Sequence, residues 1–254
     1  MRAIFRLSGV MVLVCGLCVF AFAQGPQLSA ERSLAGFSYK ELVENAAPDA
    51  KGLPLIIALH WSGSSPEEFA GYISGNKGPV RILLLKGRYA HPRGGNSFYV
   101  TKPVRYYDMS ADEKLANLKK EATALSAFIK AAAKQYKPRQ KPIITGASQG
   151  GDLSYAIAML YPRLIAASFP MLATFDERIL PKYLPRQAPP IYVLHGTADK
   201  IVPLSTAEGH VKALKCVGFT VDLKSYDGVG HDISEGMKAD LLAKIAAALS
   251  PADK

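Results

Sequence analysis

Apolar residues in this chain fall into two kinds of pattern. Leu53-Pro-Leu-Ile-Ile-Ala-Leu59, Val80-Arg-Ile-Leu-Leu-Leu85, Pro142-Ile-Ile-Thr-Gly146, Leu164-Ile-Ala-Ala-Ser-Phe169 and Ile191-Tyr-Val-Leu194 are short, nearly continuous runs. Such runs predict strands covered on both faces, as in a parallel sheet. Ala111 to Tyr136 instead repeats its apolar positions every three or four residues, with Leu115, Leu118, Ala122, Leu125, Phe128 and Ile129 on one face and lysines elsewhere. This is an amphipathic helix, with Asp112 and Glu113 near its positive end. Further helices are predicted from Pro66 with Ser65 as cap, from just after Gly151, over Leu204 to Cys216 and over Ile233 to Leu249. Ser33 to Glu44 supplies a first strand or two, and Phe219 to Tyr226 a late one. Strand and helix alternating at crossover length predict an α/β fold, a mostly parallel central sheet with helices on both faces.

Two segments break the rhythm. Gly87 to Ser110 holds Tyr89, His91, Phe98, Tyr99, Tyr106 and Tyr107 and is too long for a plain connection. Loops of that length carry function or lack order, and the aromatic content argues for order. Met171 to Pro190 is a polar, proline-bearing excursion. The basic run Lys134 to Lys141 is a solvated helix end and loop, and gives no reason to expect nucleic acid.

The N-terminus has a different character. Arg2 and Arg6 precede an apolar stretch from Val10 to Phe22 that ends in Ala21-Phe22-Ala23. A basic start, an apolar centre and an A-x-A site predict a signal peptide over residues 1–23, and hence a periplasmic or extracellular protein. The competing reading is a membrane anchor, but the run is shorter than the ~20 residues of a span. No stable span is expected after cleavage. Residues 24–254 are then a single domain large enough for its own core, with Cys216 as the remaining cysteine, expected to be a small buried residue on a helix. The 49% hydrophobic and 20% charged fractions exclude a disordered chain, and the formal charge of +10 is scattered.

The chemistry gathers at three predicted strand ends. Gly146-Ala147-Ser148-Gln149-Gly150 matches G-x-S-x-G between a strand and a helix. A turn that tight forces Ser148 toward positive φ, leaves no room for side chains at the flanking glycines, and aims the Gln149 amide at the space the hydroxyl faces. A serine hydroxyl is a poor nucleophile until a base takes its proton, and an imidazole base needs a carboxylate to hold its tautomer. Asp199, in Gly-Thr-Ala-Asp after one strand, and His231, in Gly-Val-Gly-His after another, supply these groups. His91 is the rival base; His60 and His195 are expected to be structural, and His210 falls mid-helix. Asp176 and Asp227 are rival acids, while Asp152 and Asp232 are helix-start residues. These residues predict hydrolysis of a carboxylic ester through an acyl-enzyme.

Four pieces together carry a resemblance: Leu-His-Trp-Ser-Gly63, Gly-Ala-Ser-Gln-Gly-Gly151, Leu-His-Gly-Thr-Ala-Asp-Lys-Ile-Val-Pro203 and Gly-His-Asp-Ile233. From Leu53 to Leu249 the chain resembles the phospholipase/carboxylesterase group of α/β hydrolases, the acyl-protein-thioesterase-like serine esterases. That likeness implies a small-molecule or lipid-like ester substrate, no cofactor, and no metal. It also implies an oxyanion hole formed by the Gln149 amide and an amide of the His60–Gly63 loop, Ser62 first and Trp61 second. Trp61 stands where the group has glycine. It either faces the substrate or turns into the core. Trp61, Tyr89, Phe98 and Tyr99 are the expected substrate contacts. Two other readings are a secreted depolymerase or feruloyl-type esterase acting on polymer, and a catalytically silent hydrolase-fold binding protein.

Overall fold

A computed structural model describes residues 27–250; the expected leader, 1–23, lies outside them. Among the described residues ten strands are present: β1 (Arg32–Leu34), β2 (Phe37–Glu44), β3 (Leu55–Leu59), β4 (Val80–Leu85), β5 (Tyr89–Ala90), β6 (Asn96–Ser97), β7 (Ile143–Ala147), β8 (Ala167–Met171), β9 (Ile191–Gly196) and β10 (Val221–Tyr226). Eight of them form one sheet in the order β1-β2-β4-β3-β7-β8-β9-β10, and β5 and β6 form a separate small hairpin. Pairing is antiparallel at β1-β2 and β2-β4 and parallel from β4 through to β10. β7 therefore lies in the interior of the sheet, and every one of its residues is buried.

Among the described residues five α-helices cover the two faces: α1 (Pro66–Ile73), α2 (Ala111–Tyr136), α3 (Gln149–Leu160), α4 (Leu204–Val217) and α5 (Glu235–Leu249). Because side chains alternate along a strand, neighbours in one strand serve opposite cores. Ile57 and Ile144 join the cluster holding α2, α3 and α4 side chains such as Leu125, Leu153 and Leu214. Ile56, Ala58 and Ile143 join the cluster holding Phe69 and Ile73 of α1 and Met237 and Leu241 of α5. Both faces being covered explains why these strands have no polar alternation.

The helix ends follow local chemistry. Ser110 and Glu113 form a reciprocal capping box at the start of α2, which ends at Lys137 in the left-handed conformation, φ 45°. Ser65 caps α1 by accepting the Glu68 amide at 3.2 Å. Three expectations need correction. The strand expected from Leu164 begins at Ala167, because Pro162–Leu164 tightens into a 3₁₀ turn after α3. The last helix starts at Glu235, not Ile233, because Ser234 caps it through the Met237 amide. Cys216 is exposed, since it lies on the outer side of α4, opposite the buried Val211 and Leu214.

The long aromatic loop is tied down by backbone bonds. The Gly63 amide donates to the Asn96 carbonyl and the Asn96 amide to the Ser64 carbonyl, both at 2.8 Å. A Cβ on Gly95 would stand 2.1 Å from the Gly63 carbonyl oxygen, so glycine is what lets β6 approach the loop after β3.

Candidate active site

β7 ends at Ala147, α3 begins at Gln149, and Ser148 between them has φ 52° and ψ −117°. A Cβ on Gly146 would lie 2.4 Å from the Gly150 carbonyl carbon, and one on Gly150 would lie 2.1 Å from the Leu59 carbonyl oxygen. That crowding requires both glycines and lifts the serine hydroxyl to the carboxyl edge of the sheet. The Ser148 amide donates to Met171 O at 2.9 Å, and Ser148 O accepts the Asp152 amide at 2.8 Å, so the strained residue is held from both sides.

The Ser148 hydroxyl lies 3.1 Å from His231 Nε2, and His231 Nδ1 lies 2.7 Å from Asp199 Oδ2. A carboxylate only accepts, so Nδ1 carries the ring proton and Nε2 is left with its lone pair toward the serine. Asp199 is buried, and its other oxygen takes the Ile201 and Val202 amides at 2.8 and 2.9 Å. The acid and base loops meet because β9 and β10 are parallel neighbours and end together. The Ala198 amide donates to Val229 O at 2.9 Å, and a Cβ on Gly196 would lie 2.2 Å from that same oxygen.

Every rival has another partner. His91 lines the cleft with its Nδ1 accepting the Arg93 amide at 3.2 Å. Buried His60 accepts the Gly87 amide at Nε2 (3.0 Å) and so donates from Nδ1 to Trp61 O (2.6 Å); burial lowers its pKa to about 4. His195 Nε2 lies 2.7 Å from Val202 O, and His210 Nε2 lies 2.8 Å from Thr174 Oγ1. Asp176 pairs with Arg178 at 2.6 Å, and Asp227 accepts from the Thr197 hydroxyl at 3.2 Å. Asp152 accepts the Thr174 amide at 2.9 Å, and burial raises its pKa to about 7.

Ser148 and His231 open onto a cleft of about 730 Å³, whose walls include Trp61, Ser62, Tyr72 and Tyr107. Trp61 meets both alternatives raised for it. Its ring packs edge-on against Phe69 and Tyr72, at 6.0 and 5.3 Å between centroids, while also lining the cleft. The other three expected substrate contacts need correction. Phe98 and Tyr99 are fully buried. Phe98 lies beside the His60 ring (4.7 Å), and Tyr99 stacks on Tyr106 (4.1 Å). Tyr89 turns away to bond the carboxylate of buried Glu121 at 2.8 Å, which Arg88 also grips. The aromatic walls come instead from Trp61, Tyr72 and Tyr107. Tyr107 belongs to the segment the sequence singles out, but nothing in its spacing separates it from its buried neighbours. Tyr72, on α1, carries no signal at all.

Gln149 is buried, and its side chain pins the aromatic loop, with Oε1 accepting the Phe98 amide at 3.1 Å and Nε2 donating to the Tyr107 oxygen at 3.0 Å. Among the described residues no group of acidic, cysteine or histidine side chains could hold a metal ion, and no helix is long and apolar enough to cross a membrane.

A mostly parallel sheet in this strand order, with a serine on a sharp turn after an interior strand, defines an α/β hydrolase. The chain belongs to the phospholipase/carboxylesterase family, whose model matches residues 43–249. The crystal structure of the Bacillus cereus carboxylesterase superposes with a TM-score of 0.66 at 17% identity, covering 83% of this chain and 94% of that one. In sequence, the carboxylesterase SOBER1 of Arabidopsis thaliana is 35% identical over 95 residues, 36% of this chain and 41% of that protein. Acyl-protein thioesterase 1 of Eremothecium gossypii is 33% identical over 116 residues, 44% of this chain and 49% of that protein. These matches thus span less than half the length of the curated relatives.

Proposed function

We propose that this protein is an exported serine hydrolase of carboxylic esters. Ser148 attacks the ester carbonyl, His231 takes the serine proton and returns it to the leaving alcohol, and Asp199 holds the imidazole and stabilises its charged form. Water, activated by the same imidazole, then releases the acid from the acyl-enzyme. The Gln149 amide and the Ser62 amide are the oxyanion donors, each contributing on the order of 3 kcal/mol in the transition state. The observation that carries this reading is the hydrogen-bonded chain from Ser148 Oγ through His231 to Asp199, at 3.1 and 2.7 Å. Family membership and the curated relatives called carboxylesterases support it. Export rests on the Arg2-to-Ala23 segment and is tested by the N-terminus of the secreted protein, expected at Gln24.

Ser148→Ala is expected to lower kcat on p-nitrophenyl acetate by on the order of 10⁴ to 10⁶ with the fold intact. A variant cleaving at near wild-type rate would remove the nucleophile assignment. Labelling of wild-type Ser148 by a fluorophosphonate separates an active esterase from a silent binding protein. Comparing soluble with polymeric esters separates a small-ester enzyme from a depolymerase.

A further inference from the structure

Tyr107 occupies a position that neither the sequence pattern nor the family match assigns. It lines the same cleft as Ser148 and Ser62. Its phenol oxygen is 3.0 Å from Nε2 of Gln149, the residue that follows the serine.

The direction of that bond is fixed. The Phe98 main-chain amide can only donate, and it donates to Gln149 Oε1 at 3.1 Å, so the carboxamide cannot be flipped. Nε2 is therefore the donor and Tyr107 the acceptor. A phenol has one hydrogen and two lone pairs, so the bond from Gln149 consumes a lone pair and leaves the hydrogen uncommitted. Ser62 lines the cleft with Tyr107. Gln149, proposed to hold the oxyanion through its amide, thus touches Tyr107 through its side chain, and the phenol hydrogen is left free on a residue that lines the cleft.

The ring is held in place as well. Tyr107 packs edge-on against Tyr106 (5.5 Å, 80°), which stacks on the fully buried Tyr99. Although Tyr107 is 56% exposed as a residue, desolvation of its hydroxyl and the nearby Asp152 raise the phenol's pKa above its usual 10, so it is protonated at neutral pH.

We infer that the Tyr107 hydroxyl is a third donor to the oxyanion that forms when Ser148 attacks. A tetrahedral oxyanion concentrates charge that the planar carbonyl lacks, so a preset O–H directed at it favours the transition state over bound substrate. The inference rests on the Ser148 reading above, and the two fail separately. Absence of fluorophosphonate labelling in the wild type would sink that reading, whereas the Tyr107 inference is decided within an enzyme that labels.

Tyr107→Phe keeps the ring and removes only the hydroxyl. It is expected to lower kcat on p-nitrophenyl butyrate by about tenfold or more with KM within twofold. It should weaken an alkyl boronic acid, a tetrahedral anion on the serine, by a similar factor. The thermal midpoint serves as the fold control. Wild-type kcat in the variant, or a change in KM with unchanged boronic acid affinity, would reduce Tyr107 to a wall of the cleft. Tyr107→Leu, which loses ring and hydroxyl together, should lower kcat at least as far. If it instead exceeds Tyr107→Phe in kcat, the hydroxyl contributes nothing and the inference falls.

Discussion

At the scale of single residues, the site depends on which atoms carry protons. Asp199 offers His231 an acceptor and nothing else, which is why the serine meets a lone pair and not an N–H. Asp199→Asn presents an amide that can donate to Nδ1 and so moves the ring proton to Nε2. The expected result is a kcat lower by roughly 10⁴-fold with little change in thermal midpoint, measured by steady-state kinetics beside a melting curve. The sequence pointed to Ser148, Asp199 and His231 as partners because each sits in a glycine-bearing turn or loop that follows a predicted strand. It misassigned Phe98 and Tyr99 for a physical reason: an aromatic residue in a loop looks the same whether it faces a cleft or anchors the loop to the core, and here the anchoring set is fully buried.

At the scale of elements, the loop after β3 is the part on which the rest leans. His60 bridges it to the aromatic loop, donating to Trp61 O and accepting the Gly87 amide. Protonation would abolish the acceptor, and burial accordingly holds the native pKa near 4 against 6.5 when unfolded. The unfolded chain therefore binds more protons between those values. The stabilisation is complete above about pH 6.5 and is lost as pH falls toward 4. Urea midpoints should drop over that window, and His60→Gln, which keeps an acceptor but cannot titrate, should flatten the slope. An equal slope in both proteins would contradict this account. The acidic first turn of α2 and the Ser65 cap of α1 were legible locally, whereas the 3₁₀ turn at Pro162–Leu164 was hidden because its Leu164 joins the apolar run that continues to Phe169.

At the scale of the whole molecule, a buried ion pair joins the antiparallel edge to the parallel body. Glu41 of β2 and Arg81 of β4 are 5% and 6% exposed and paired to each other; Glu41 also accepts the Tyr136 hydroxyl at the end of α2 and meets Arg32 of β1 at 2.8 Å. Replacing one partner leaves the other's charge in a desolvated site. Glu41→Ala should therefore cost about 3–5 kcal/mol in urea unfolding. A loss under 1 kcal/mol would show that water or another carboxylate reaches Arg81. This network was not visible beforehand, because Glu41 and Arg81 are 40 residues apart and each looked like an ordinary charge within an apolar strand.

The order of elements, the burial of the sheet and the residue types at its carboxyl edge were determined by the sequence alone. Apolar periodicity, glycine spacing and the polarity of strand ends are local consequences of covalent structure. The tertiary structure decided which of several loops share a volume: Trp61, Tyr72 and Tyr107 around Ser148, and Cys216 out on the surface of α4. Those positions follow from parallel register and from the stitching of Asn96 to Gly63 and Ser64, contacts between distant segments that no local window contains.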